Sequence, residues 1–360
     1  MNLHIFNPEH DIALACNKKR FTAPHAAQEL RMNLGWIPAL WASDGDMVLV
    51  DDVAFAIKAA SRFKNRKAEV LYVTDAEIRN VRFDTVIPWG WDQAIKTRLL
   101  DAEIDNEIIP EDNIMEHLRQ LSNRKQTINA LKYLRAGLES VTCGEACSVD
   151  SVSQVRDMVS SGANIVVKAP WSSSGRGVRY VENKISPSVH GFLKNTIREQ
   201  GNVMVEPYYN KVRDFGMEFE SMADGSVVYR GLSIFQTRNG AYSGNLIAHE
   251  EDKMGLLSRY IEPQLIDEIR ERTCRYFMEL LKGYYQGPFG VDMMIVAKDD
   301  NESGFLLHPC VEINLRRTMG HVALDITPDI PVPHKLMHID HEVNYILRVS
   351  PLENPFVKVL

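Results

Sequence analysis

Short apolar runs of strand length recur through the first part of the chain, at residues 3–6, 47–50, 69–73 and 84–88. Between them, residues 26–34 and 53–63 carry apolar positions at helical spacing. Strand and helix alternating in this way predict an α/β layer unit over roughly the first hundred residues. A longer helical stretch follows over 111–138, with Ser122-Asn123 as an internal break and cap, so a second helix spans 124–138 and a boundary falls near residue 120. Further apolar runs predict strands at 164–169 and 203–205. A hairpin joins 216–221 to 226–235 around Ala223-Asp224-Gly225. Over 263–281 the apolar residues Leu265, Ile266, Ile269, Cys274, Phe277, Met278 and Leu281 share one helical face, a core stripe.

The most informative pair of runs is 291–297 and 305–313, separated by a polar turn at 298–304. Regular antiparallel pairing about residue 302 sets Asp292 opposite Glu312. Side chains alternate with period 2, so Asn314 and Arg316 continue on the face of Glu312 if the strand runs on. Two facing carboxylates repel and are tolerated mainly with a cation between them. Hard oxygen ligands of this kind suit magnesium, whose usual companion is a nucleotide phosphate. Arg316 then points at whatever anion that ion holds.

Lys168 ends an apolar strand, where burying an unpaired ammonium costs several kcal/mol. An anionic partner removes that cost. Directly after it, Trp171-Ser172-Ser173-Ser174-Gly175-Arg176-Gly177 combines hydroxyls with glycines that admit close backbone approach, the ingredients of a phosphate cradle. It is not the G-x-x-x-x-G-K-[ST] loop, and no G-x-G-x-x-G follows the first strand, so P-loop and dinucleotide-binding sites lack their fingerprints. Asn7-Pro8-Glu9-His10-Asp11 stands at the carboxyl end of that first strand, a position that lines ligand crevices in open α/β sheets as well as solvated loops. Trp89-Gly90-Trp91 reads as core packing. His334, His338 and His341 read as surface histidines, with no carboxylate pattern to make them a metal site.

Composition narrows the classes. A chain of 360 residues calls for about two or three packed units. Its 45% hydrophobic and 25% charged residues are ordinary for a globular protein, and a net charge of −7 without a basic block argues against a general nucleic-acid binder. No run approaches the roughly 18 apolar residues of a membrane span, and Glu9, His10 and Asp11 stand where a signal peptide is apolar, which predicts a cytoplasmic protein. Five cysteines, with Cys143 and Cys147 separated by three residues, predict buried thiols rather than disulfides or zinc.

In order, these parts are a lysine-capped strand, a Ser/Gly loop, a strand running into Glu206, then G-V-D at 290–292 and E-I-N-L-R at 312–316. That order over residues 122–322 resembles the ATP-grasp superfamily, whose carboxylase branches carry a similar E-x-N-x-R. The resemblance implies an α/β chain with an N-terminal α/β domain (1–120), two ATP-grasp subdomains with antiparallel sheets (121–200 and 201–330) and a C-terminal tail (331–360). Carried over residue by residue, it implies that Lys125 and Lys168 contact phosphate and adenine. The loop of Ser172, Ser173, Ser174, Gly175 and Gly177 closes over the β- and γ-phosphates. Glu206 and the Tyr209 backbone read the adenine, since Pro207 has no N–H, and Asp214 binds the ribose. Asp292, Glu312 and Asn314 hold Mg2+ or Mn2+, and Arg316 steadies the transferring phosphoryl group. The implied activity is ATP-dependent ligation of a small-molecule carboxylate to an amine or related nucleophile, with a homodimer as one possible assembly and no nucleic-acid or membrane partner. A small-molecule phosphotransferase and a non-catalytic ATP-binding module are the alternatives. The chain departs from the family at Arg317-Thr318-Met319-Gly320-His321, which matches no substrate subfamily, and at Gly287-Pro288-Phe289, which lacks the arginine of some peptide ligases.

Overall fold

The computed structural model describes residues 1–63, 68–172, 175, 177–238, 241–298, 303–329 and 333–352. The chain divides into two compact units. One consists of Met1–Arg119, Ser243–His249 and Arg316–Leu360, the other of Gln120–Tyr242 and Glu250–Leu315.

In the first unit, β1 (Asn2–Ile5), α1 (His10–Cys16), α2 (His25–Leu34), β2 (Met47–Leu49), α3 (Val53–Ser61), β3 (Leu71–Val73), β4 (Thr85–Pro88), α4 (Gln93–Asp101) and α5 (Asp112–Leu121) follow in sequence. The strands form a parallel sheet in the order β3-β2-β1-β4, with Ile5 beside Leu49 and Pro88. This is the alternating layer unit read from the sequence. Asp52 and Asp92 start α3 and α4 by accepting backbone N–H bonds, from Phe55 at 2.9 Å and from Ala94 and Ile95 at 2.9 Å. Trp89 is buried in the core, edge-on to Phe6 at 5.0 Å.

The second unit begins at Gln120, at the end of α5 and just before the helix break expected at 122–123. It runs through α6 (Gln126–Arg135), β5 (Cys147–Val149), α7 (Val152–Ser160), β6 (Ile165–Lys168), β7 (Val178–Val181), α8 (Pro187–Gln200), β8 (Val203–Pro207), β9 (Lys211–Ser221), β10 (Val227–Ser233), β11 (Phe235–Arg238) and the start of β12 (Ala241–Ile247), whose residues from Ser243 on belong to the first unit. After these come α9 (Glu250–Leu257), α10 (Pro263–Leu281), β13 (Gly287–Ala297) and β14 (Phe305–Asn314). Two antiparallel sheets result, β5-β8-β6-β7 and β10-β9-β13-β14. Helix α10 buries Ile266, Ile269, Phe277 and Leu281 of the predicted stripe, while Leu265 and Cys274 are half-buried and Met278, at the edge of that face, is exposed. The Phe277 ring lies 4.9 Å from that of Phe289, which stacks on Phe219 at 5.3 Å.

Residues 331–360, read from the sequence as a tail, contain two strands after α11 (Met319–Asp325): β15 (Lys335–His341) and β16 (Tyr345–Pro351). Asn245 in β12 pairs with Met337 in β15, and Met337 and Leu347 are buried in the same core as Trp36, Leu40 and Val48. The prolines at 328, 333 and 351 stand outside the interiors of these strands, so they delimit elements rather than abolish them, and Pro331 lies outside the described residues.

Truncating Phe277 removes one ring of this aromatic cluster and leaves a cavity. Phe277→Ala is expected to cost about 3–5 kcal/mol, read as a lower urea midpoint at unchanged slope. An unchanged midpoint contradicts this packing.

Candidate nucleotide and metal site

Asp292 and Glu312 do face one another across β13 and β14, with Asn314 opposite Gly290. The route to that register differs from the regular hairpin expected. Next to the turn, Ala297 pairs with Phe305 and Met294 with His308. That register, continued, sets Asp292 opposite Cys310. Instead a bulge intervenes, in which Pro309, Cys310 and Val311 of β14 answer the single Met293 of β13. Proline has no N–H to give to the ladder, so Pro309 is a natural place for it to slip. On its other side Asp292 pairs with Gly216 of β9, and a Cβ there would lie 3.5 Å from Asp292 Oδ1.

Glu312 accepts a hydrogen bond from Arg124 Nη2. The same buried guanidinium donates from Nη1 to Ala169 O (2.7 Å) and Ser172 Oγ (2.6 Å), and from Nη2 to Ser172 O (3.2 Å). One arginine thus ties the start of the Ser/Gly loop to the acidic pair. Sequence reasoning chose its neighbour Lys125, which is exposed at the N-terminus of α6. The overlooked signal was Arg124-Lys125 together at a helix start, where the helix dipole disfavours cations unless an anion is near.

Ser172 is packed against Gly177, whose Cβ, if present, would lie 2.2 Å from the Ser172 hydroxyl. Gly177 O accepts from Ala169 N at 2.8 Å, and Gly175 has a φ of 71°, so the loop's close backbone return requires glycine. Ser173, Ser174 and Arg176 lie outside the described residues.

The buried lysine ending β6 has its anion. Lys168 Nζ donates to Glu206 Oε2 at 2.6 Å, with both side chains nearly enclosed. Beyond Glu206, the Tyr208 N–H bonds Asn164 O at 2.9 Å, and Tyr209 turns its ring edgewise to His308 at 5.5 Å. Burial pushes the Tyr209 phenol up to about 12. His308 is fully buried, and neither ring nitrogen has a hydrogen-bond partner. Burial, with Lys168 and Arg135 adding to it, lowers its pKa to about 3. The nearby Gly144, at φ 122°, leaves the space: a Cβ would meet His308 Nε2 at 2.8 Å. Asp214 on β9 accepts from Lys211 Nζ at 2.5 Å and Thr237 Oγ1 at 3.1 Å.

Arg316 does not continue β14, which ends at Asn314. The chain passes from one unit to the other between Leu315 and Arg316, and the guanidinium forks onto Asp11, Nε to Oδ1 at 3.1 Å and Nη2 to Oδ2 at 2.8 Å.

Among the described residues no three His, Cys, Asp or Glu side chains converge as a metal-holding group. The oxygen set here is two carboxylates and one amide. It is hard and acidic, which fits magnesium rather than zinc. His338 pairs with Asp340 at 3.4 Å and His341 with Glu29 at 3.3 Å, ordinary ion-pair partners. No helix is long and apolar enough to cross a membrane among the described residues.

Two measurements test this arrangement. Removing one partner of the buried pair strands a charge, so Lys168→Met or Glu206→Leu is expected to cost about 3–5 kcal/mol, and the double variant less than either sum. Additive losses contradict the pairing. For His308 the unfolded chain binds the proton more readily than the folded one, so stability rises with pH between about 3 and the ordinary imidazole value and is complete above it. His308→Leu should flatten that acid limb in urea titrations; an unchanged limb contradicts its burial as a neutral ring.

No family profile and no curated protein matches the chain by sequence. Solved structures do match in fold. N5-carboxyaminoimidazole synthetase from Staphylococcus aureus, complexed with ADP, superposes with a TM-score of 0.50 at 13% identity, covering 94% of this chain and 82% of that one. The biotin carboxylase domain of 2-oxoglutarate carboxylase from Hydrogenobacter thermophilus, with MgADP and bicarbonate, gives a TM-score of 0.52 at 15% identity, over 94% and 74%. Biotin carboxylase from Campylobacter jejuni with β,γ-ATP gives 0.50 at 14%, over 94% and 75%. With these neighbours and its paired antiparallel sheets after a parallel one, the chain has the ATP-grasp fold.

Proposed function

We propose that the chain is an ATP-dependent ligase that activates a small-molecule carboxylate as an acyl phosphate for attack by an amine or related nucleophile. The observation that carries this reading is the facing pair Asp292 and Glu312, joined through Arg124 to Ser172 of the Ser/Gly loop. A module that only holds a nucleotide has no need of opposed carboxylates kept beside a buried arginine. Nucleotide-bound neighbours of the same fold support it, one with ADP and one with MgADP and bicarbonate.

In this assignment Lys168 and Glu206, already paired, present an ammonium to phosphate and a carboxylate to the adenine amino group, with the Tyr209 backbone beside the ring. Asp214, whose Oδ2 accepts from both Lys211 and Thr237, takes the ribose hydroxyls on Oδ1. Lys125, exposed at the start of α6, takes a phosphate oxygen. Ser172 to Gly177 cover the β- and γ-phosphates. Asp292, Glu312 and Asn314 hold magnesium, which when bound neutralises phosphate charge.

The chemical need is plain. A carboxylate is a poor electrophile because its leaving group is oxide. A carboxylate oxygen attacks the γ-phosphorus, the bond to the β-phosphate oxygen breaks, and ADP departs. The nucleophile's lone pair then attacks the acyl carbon, the C–O bond to phosphate breaks, and the nucleophile loses a proton. Arg124 keeps Glu312 oriented throughout, and Arg316 is the cation for the developing negative charge.

ADP release against a panel of amino acids and small acids finds the substrates. Hydroxylamine trapping of an acyl hydroxamate separates ligation from phosphotransfer to another group. Arg316→Ala is expected to lower ADP release about a hundredfold or more while ATP binding persists, whereas Glu312→Gln loses both. Normal turnover in either variant would falsify the assignment.

A further inference from the structure

The Asn7–Asp11 stretch has a second neighbourhood, within the N-terminal unit. A cavity of about 860 Å3 opens at the carboxyl ends of β1, β2 and β3, lined in part by Asn7, Glu9, Arg31, Asp51, Asp75 and Arg98. That volume lies within the usual range of small-molecule sites. In the order β3-β2-β1-β4 the sheet reverses direction of growth at β1, and carboxyl ends at such a reversal are where open α/β sheets bind ligands.

The lining is a continuous ion chain. Glu9 accepts from Arg31 Nη1, and Arg31 Nε donates to Asp51 Oδ2 at 2.9 Å. The other Asp51 oxygen accepts from Arg98 Nη2 at 3.2 Å, and Arg98 Nε and Nη2 fork onto Asp75 at 2.9 and 3.0 Å. Both arginines are therefore fixed before any ligand arrives.

What this chain leaves unoccupied decides the chemistry. The oxygens of Asp51 and Asp75 all accept protein hydrogen bonds. Asp92, also in the wall, is taken by the N-terminus of α4 and by Asn7 at 3.0 Å. Arg31 Nη2 and Arg98 Nη1, by contrast, donate to no protein atom among the described residues. Lys19 and Arg20 add two exposed cations to the wall. On the acceptor side, Glu9 is 8% exposed and its Oε2 has no partner, and burial raises its pKa. Spare donors thus exceed spare acceptors, and one acceptor is buried.

We propose that this cavity binds a small anion, a carboxylate or phosphate, that also carries an amine or hydroxyl. The anion lies on Arg31 and Arg98, drawn in by Lys19 and Arg20, and the amine or hydroxyl donates to Glu9. The site stands on these contacts and not on the ligase assignment.

Calorimetric titration of the full chain without nucleotide tests it, with O-phosphoethanolamine, L-aspartate, inorganic phosphate and ethylamine as probes. A molecule joining both groups is expected to bind about tenfold more tightly than phosphate or ethylamine. Tighter phosphoethanolamine assigns a phosphate ligand and tighter aspartate a carboxylate. Arg98→Gln should weaken binding about tenfold or more. The exposed double substitution Lys19→Ala/Arg20→Ala, with its melting curve unchanged, should weaken it severalfold and reduce its salt dependence. Absence of saturable binding by every probe, or binding indifferent to both variants, overturns the proposal. Repeating the titration on Lys168→Met protein keeps the two assignments apart: loss of ATP binding there leaves the anion result standing.

Discussion

Two carboxylates on neighbouring strands repel, and the second unit is arranged so that they meet and are tolerated. Asp292 is central in its sheet, with Gly216 on one side and Glu312 on the other. A like-charged cross-strand pair is destabilising by some tenths of a kcal/mol, and enclosure raises that cost. The protein answers with Arg124, whose guanidinium reaches Glu312 while bonding Ala169 and Ser172. Charge compensation and loop placement are therefore one interaction. Because Arg124 is buried, it is held by its acceptors and cannot wander as a surface arginine does.

The same logic recurs a strand away. Lys168 and Glu206 are enclosed together, and each makes the other's burial tolerable. His308 solves the problem differently, by remaining a neutral ring among apolar and aromatic neighbours. Around it Cys143 and Cys310 are also buried, and desolvation raises both thiols, which keeps them inert. The interior around His308 thus holds polar groups, and its enclosed lysine and glutamate occur as a matched pair. In the N-terminal unit the matched pairs lie at a cavity wall instead, and there the surplus of donors points to a ligand.

Much of this was readable along the chain. The strand–helix alternation of the first hundred residues, the α10 stripe and the break before Arg124 follow from local periodicity and capping, and they appear where the pattern puts them. The facing of Asp292 and Glu312 was also legible, but through reasoning that assumed an unbroken ladder. The real register reaches the same pairing through the bulge at Pro309, Cys310 and Val311. Proline inside an apolar run was the visible mark of that irregularity. The strands in 335–351 were less legible, because prolines on either side masked a short alternating pattern.

By itself the sequence determined the periodic elements, the oxygen-rich character of the 292–314 hairpin and the glycines that a tight loop return demands. All of these depend on residues close in the chain. Tertiary structure alone decided which partner each charge received. Arg124 meets Glu312 across 188 residues, and Arg316 meets Asp11 across 305. The intuition that Arg316 simply extends the face of β14 failed at that point, because the strand ends at Asn314. Period and propensity act over a few residues, whereas an ion pair is chosen by whichever opposite charge the packed chain brings within about 4 Å.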